Sequence, residues 1–162
     1  MKKLYLDVAE TEECISVFAQ DVEIVRAGTT IYSMPVKHKN EEYNRFAIEY
    51  DIHFIFDDDI PSVDFYTIPQ VDIMAIDSHG GFIGTIGYTT DLQSDAKICY
   101  IDCSHNCYLI AENASDFIKD ISKWKNRLKK YSGIALYNSK ADAEKEVEFV
   151  DWSKTEQVID QA

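Results

Sequence analysis

Apolar positions recur along this chain with two different periods, and they mark where helices and strands are expected. Behind a capping Asn40, the residues Tyr43, Phe46, Ala47 and Tyr50 fall at i, i+3, i+4 and i+7, which predicts a helix over about 41–50 with one buried face. Phe117, Ile121, Trp124, Leu128 and Tyr131 step by four, three, four and three. This stripe predicts a helix over about 116–131, capped by Ser115 and ended by Gly133. Its late cations, Lys123, Lys125, Arg127, Lys129 and Lys130, would sit where the helix dipole favours them. Thr11 opens a further candidate helix, about 11–20, with Cys14, Ile15 and Phe18 on one side. An acidic helix is expected over Ala141–Phe149, with Trp152 docking behind it.

Between these lie short runs of the other period. Val22–Arg26 and Thr30–Met34 read as strands separated by a turn at Gly28. Ile52–Phe56, Val71–Ile76 and Phe82–Gly87 follow, the last two joined by Ser78-His79-Gly80-Gly81, a strong turn signal. Lys97–Asp102 and Cys107–Ala111 flank Ser104-His105-Asn106 as a hairpin, and Ile134–Tyr137 adds a short strand. The order predicts an α+β fold, a mostly antiparallel central sheet flanked by helices, in a single domain over residues 1–162. Residues from about 134 to 162 would form an acidic, helical C-terminal extension.

Composition supports a folded chain: 46% of residues are hydrophobic and 12% aromatic. No apolar run is long enough to span a membrane. The opening MKKLYLDVAE is broken by Asp7 and does not read as a signal peptide, so a cytoplasmic location and free thiols on the four cysteines are expected. The formal net charge of −13 argues against nucleic acid and anionic membrane as partners and favours a basic protein. The charge is also uneven. Residues 41–80 hold ten acids and one base, Arg45, whereas 121–140 hold six bases and no acid. The acids Glu41, Glu42, Asp57, Asp58, Asp59 and Asp64 are the candidate partner-binding residues.

Sites for chemistry are few. Cys99 and Cys103 share a strand face but would stand roughly 13 Å apart, too far to ligate one ion. Cys103, His105 and Cys107 could form at most part of a metal site or a thiol pair across a turn. His79-Gly80-Gly81 has the look of an oxyanion-hole loop, but no Gly-x-Ser-x-Gly elbow accompanies it, and Asp77 and His79 read as turn residues. Gly81, Gly84 and Gly87 do not make a dinucleotide fingerprint and point instead to bulges or close backbone approach. Asp57-Asp58-Asp59 lacks the spacing of a calcium loop. No catalytic residue, metal or cofactor is expected.

The stretch Ile68–Gly81, then Ile98-Cys99-Tyr100-Ile101-Asp102, then Tyr108–Ile118 resembles the SUKH superfamily, which includes yeast cell-wall-assembly regulators and many bacterial proteins. Its members show an apolar strand reaching an aspartate and glycines, followed by a strand pair that ends in a helix start. The resemblance covers about a third of the chain. It implies a non-catalytic binding module, and for the bacterial members an intracellular immunity protein that neutralises a cognate toxin, here one with a basic, nuclease-like domain. Alternatives are a regulatory scaffold binding a host partner, a small metal-binding or hydrolytic enzyme, and an acidic mimic of nucleic acid.

Overall fold

The computed structural model describes residues 2–8, 22–87 and 95–150. The strands are β1 (Lys2–Asp7), β2 (Val22–Ala27), β3 (Thr29–Ile31), β4 (His53–Phe54), β5 (Tyr66–Ile68), β6 (Val71–Ile76), β7 (Phe82–Ile86), β8 (Ile98–Ile101), β9 (Cys107–Ala111), β10 (Lys129–Lys130) and β11 (Ala135–Tyr137). The helices are α1 (Glu41–Tyr50), α2 (Ala114–Lys119) and α3 (Lys140–Glu144). The chain is α+β, and its main sheet runs β10-β9-β8-β7-β6-β3 with β4 also paired to β6. Every pairing in that sheet is antiparallel except β3 with β6. Two smaller sheets join β1 to β2 and β11 to β5.

The central strand β8 shows why the sheet is buried on both sides. All four of its residues are buried, Ile98 and Tyr100 on one face and Cys99 and Ile101 on the other. The first face packs with Ile52, Ile83, Ile110, Phe117 and Trp124. The second packs with Ile55, Phe65, Val71, Ile73 and Ile134. In β6 the register slips between Ile73 and Ala75, so Met74 is an extra residue and Ala75 joins the opposite face from Ile73. Gly84 lies across from this bulge, and a Cβ there would stand 2.6 Å from the Asp72 carbonyl oxygen. Close backbone approach at this glycine is therefore real.

Helix α1 has the predicted bounds. Asn40 accepts from the amides of Glu42 and Tyr43, and Glu41 and Glu42 complement the first turn. Its apolar face is half-buried: Phe46 and Tyr50 pack on the first core, and Tyr43 meets the edges of Phe54 and Phe56.

The single helix expected over 116–131 does not form. Asn113, not Ser115, caps α2, and the helix stops at Asp120. A tight 3-10 stretch, Ile121–Asn126, follows with Lys123 out of helical geometry. Then β9 captures Lys129 and Lys130 as β10. The apolar stripe faces inward at Phe117 and Trp124, both buried. What the period could not weigh is tertiary demand. Trp124 drops into the core and gives its indole N–H to the Tyr50 carbonyl at 2.6 Å, and the edge of the sheet recruits the next residues.

Gly28 (φ 120°) does separate β2 from β3, but these strands do not pair with each other. β2 lies parallel to β1, and β3 parallel to β6. After β3 the chain reaches Met34, which bridges Phe56. Residues 134–150 supply β11, paired to β5, and α3, whose Ala143 is buried with Ala27, Tyr66 and Ile68. The expected helix over 11–20 and Trp152 lie outside the described residues. Among the described residues no helix is long and apolar enough to cross a membrane.

Candidate functional site

The six acids singled out from the sequence are all exposed. Asp57, Asp58 and Asp59 follow Phe56 in a turn closed by the Asp59 amide on the Phe56 carbonyl. The segment Tyr32–Met34 runs beside them: the Met34 amide donates to Ile55, and the Asp57 amide donates back to Met34. Ser33 Oγ holds the Asp57 carboxylate. Glu41 and Glu42 open α1, directly after Lys39 and Asn40, and Lys39 reaches Asp58 at 2.7 Å. That ammonium holds the Asp58 carboxyl below its ordinary range. Asp64 is engaged elsewhere. Its carboxylate stands 3.4 Å from His105 Nε2, in the turn after β8.

Exposed apolar residues stand close to these acids in the chain and in the adjoining segment. Tyr32 is 41%, Val36 45% and Ile60 52% exposed. Tyr32 and Val36 flank Met34, which pairs beside residues 55–57, and Ile60 follows Asp59, so exposed apolar and carboxylate residues lie on adjoining segments. Beside them opens a cleft of about 420 Å³, lined by Lys39, His53, Phe54, Phe56, Asp58 and Asp59 among others. Exposure is a property of the folded arrangement, and no period in the sequence marks Tyr32, Val36 or Ile60 as outward-facing.

At the far end of α1, Asp51 adopts the left-handed conformation (φ 57°) and becomes a hub. It accepts from His53 Nε2 at 2.9 Å, from the Ser78 amide at 3.0 Å and hydroxyl at 2.7 Å, and from Lys125 Nζ at 2.6 Å. Partial burial pushes its carboxyl up, but the bonds from Lys125, Ser78 and His53 outweigh this and hold it well below the usual carboxylate range. A position without glycine at a helix end was the available signal for Asp51, since Asp tolerates the left-handed region.

The turn after β6 is built on Asp77, which is buried. Its Oδ1 accepts from the amides of His79 (3.0 Å) and Gly81 (2.7 Å), and its Oδ2 from the Tyr100 hydroxyl. A Cβ at Gly81 would overlap that hydroxyl. The backbone donors that resembled an oxyanion hole are thus spent on Asp77, which confirms these residues as turn-formers. The turn after β8 repeats the device: Asp102 accepts from the amides of Ser104 and Asn106.

No protein-family model, curated protein or solved structure matches this chain. Cys103, His105 and Cys107 do not converge. Cys103 is exposed in the turn, Cys107 lies opposite Ile101, and the His105 ring faces Asp64 and the edge of Phe65. Cys99, Cys103 and Cys107 are free thiols. Burial pushes the Cys107 thiol up to about 11 and that of Cys99 up to about 12, so neither is a ready thiolate. Among the described residues, Asp51, Asp77 and His79 do bring ligand atoms within 4.8 Å of one another. Both carboxylates are already committed, Asp51 to the Lys125 ammonium and Asp77 to the turn and Tyr100.

Proposed function

We propose that this protein is a non-catalytic protein-binding module, an intracellular immunity protein of the SUKH type that neutralises a toxin with a basic, nuclease-like domain. The observation that carries the reading is the surface on which Tyr32, Val36 and Ile60 stand exposed among Asp57, Asp58 and Asp59. Apolar contacts of this kind supply most interface energy, while carboxylates select a basic partner and speed its approach. Nuclease domains carry excess lysine and arginine to hold phosphate, which makes them suitable partners. The net charge of −13 adds long-range attraction of the same sign.

The test is affinity purification from the native cells followed by titration of the recovered partner. The double substitution Asp57→Lys with Asp59→Lys is expected to weaken a basic partner by roughly tenfold or more at low salt, with an unchanged melting temperature. Equal affinity of the wild-type and reversed proteins would remove the acidic surface from the interface.

A further inference from the structure

The cleft beside the acidic turn already holds a cation, and it comes from the chain itself. Lys39 Nζ lies 5.2 Å from the centroid of the Phe56 ring and 2.7 Å from Asp58 Oδ2. An ammonium over an aromatic face, closed by a carboxylate, is the arrangement by which a protein reads a basic side chain. Both members of the ion pair are close to half exposed, 47% for Lys39 and 46% for Asp58, so the contact is a loose one that solvent and solutes can reach. Asp59 lines the same cleft, and among the described residues its carboxylate has no ion-pair partner. The space is larger than Lys39 needs: about 420 Å³ remains open, bounded by Phe54 and Phe56 and by Asp58 and Asp59.

We infer that this cleft is the seat for a single arginine side chain of a basic protein partner, and that Lys39 is an internal stand-in which the arginine displaces. The inference rests on the protein-binding reading and names the group that the surface reads. Arginine fits better than lysine. Its planar guanidinium can stack on Phe56 while its fork engages Asp58 and Asp59 together, which a point-like ammonium cannot do. Lys39 then acts as a competitor. It neutralises Asp58 while the site is empty and sets a threshold that weakly basic proteins fail to cross. Its release costs little, because its backbone bond to Val36 and the Asn40 cap beside it do not involve the side chain.

The experiment uses the full chain and short oligo-arginine and oligo-lysine peptides, followed by calorimetry and amide NMR at low salt. The wild-type protein is expected to prefer oligo-arginine, with shifts at residues 54–59. Lys39→Ala should tighten oligo-arginine by roughly two- to five-fold. Lys123→Ala, an exposed lysine removed from the 3-10 stretch, changes the net charge equally and should tighten it clearly less. Asp59→Asn should weaken it. Absence of oligo-arginine binding, equal tightening by both lysine variants, or weakening by Lys39→Ala each overturns the seat. The parent reading is judged separately, by the recovered protein partner against the Asp57→Lys, Asp59→Lys variant, so the two can fail independently.

Discussion

Asp51 concentrates more of the structure than any other acid in its segment. Four donors from three parts of the chain meet on one carboxylate: His53, the amide and hydroxyl of Ser78, and Lys125. Asp51→Asn keeps the shape and the tolerance of the left-handed conformation but removes the charge, leaving Lys125 unpaired. The expected cost is about 1–2 kcal/mol at neutral pH. The carboxyl lies below its unfolded value of 3.8, so its stabilisation is present above about pH 4 and lost as pH falls further. Denaturant midpoints of the two proteins should therefore differ at pH 7 and converge toward pH 2. A gap that stays constant with pH would mean the charge of Asp51 does not contribute. None of this convergence is legible in the sequence, where Asp51 is one of ten acids between residues 41 and 80. The loop at Asp57, Asp58 and Asp59 was legible, because three adjacent carboxylates followed by Pro61 end a strand, whereas which acids stand exposed was not.

At the scale of elements, the two turns on Asp77 and Asp102 hold β6 to β7 and β8 to β9. The first is also tied to β8, since Tyr100 donates its hydroxyl to Asp77. Burial and the nearby Asp77 charge push the Tyr100 phenol well above its ordinary value of 10.0. Tyr100→Phe is expected to cost about 1–2 kcal/mol, because Asp77 stays buried with one donor fewer. Below pH 10 the wild-type bond contributes in full, and it is lost as pH rises beyond that. In an alkaline absorbance titration, one tyrosine should ionise only as the protein unfolds, and the variant should lack that late step. Elements with a strong local signal were readable: α1 through its cap and apolar period, β6 through its β-branched residues and β9 through an apolar run, both strands bounded by turn residues. The parallel pairings were not, because β3 and β6 are brought together by contacts over forty residues apart in sequence, as Thr30 with Asp72. The helix expected over 116–131 failed for a related reason: a period reports which side faces inward, not whether the backbone stays helical to satisfy it.

Across the whole molecule, charge follows the sheet. Lys129 and Lys130 form one edge at β10, while the segments bearing Asp57–Asp59 lie beyond the opposite side, past β6. The acidic and basic stretches touch through β5 with β11 and through Trp124 on Tyr50, and among the described residues their charges meet in one ion pair, Lys125 with Asp51. Such a distribution should orient an approaching basic protein before contact. Association rates measured by stopped flow should fall by roughly tenfold or more between low and about 0.5 M salt, with dissociation changing much less. A rate insensitive to salt would place the interface away from the acids.

The two-lysine edge at β10 has a consequence for how recognition can change. Its outer backbone is guarded by two exposed charged side chains, and the opposite edge strand, β3, is only three residues long. Neither edge invites another chain to extend the sheet, a mode of contact that reads main chain and is largely blind to sequence. On the proposed reading, a partner would instead be recognised by side chains that stand off the sheet, at Tyr32, Val36 and residues 57–60. Such positions can be exchanged one at a time without disturbing the layers beneath. On the proposed binding reading, the fold would separate the layers that must be kept from the positions that can follow a changing partner.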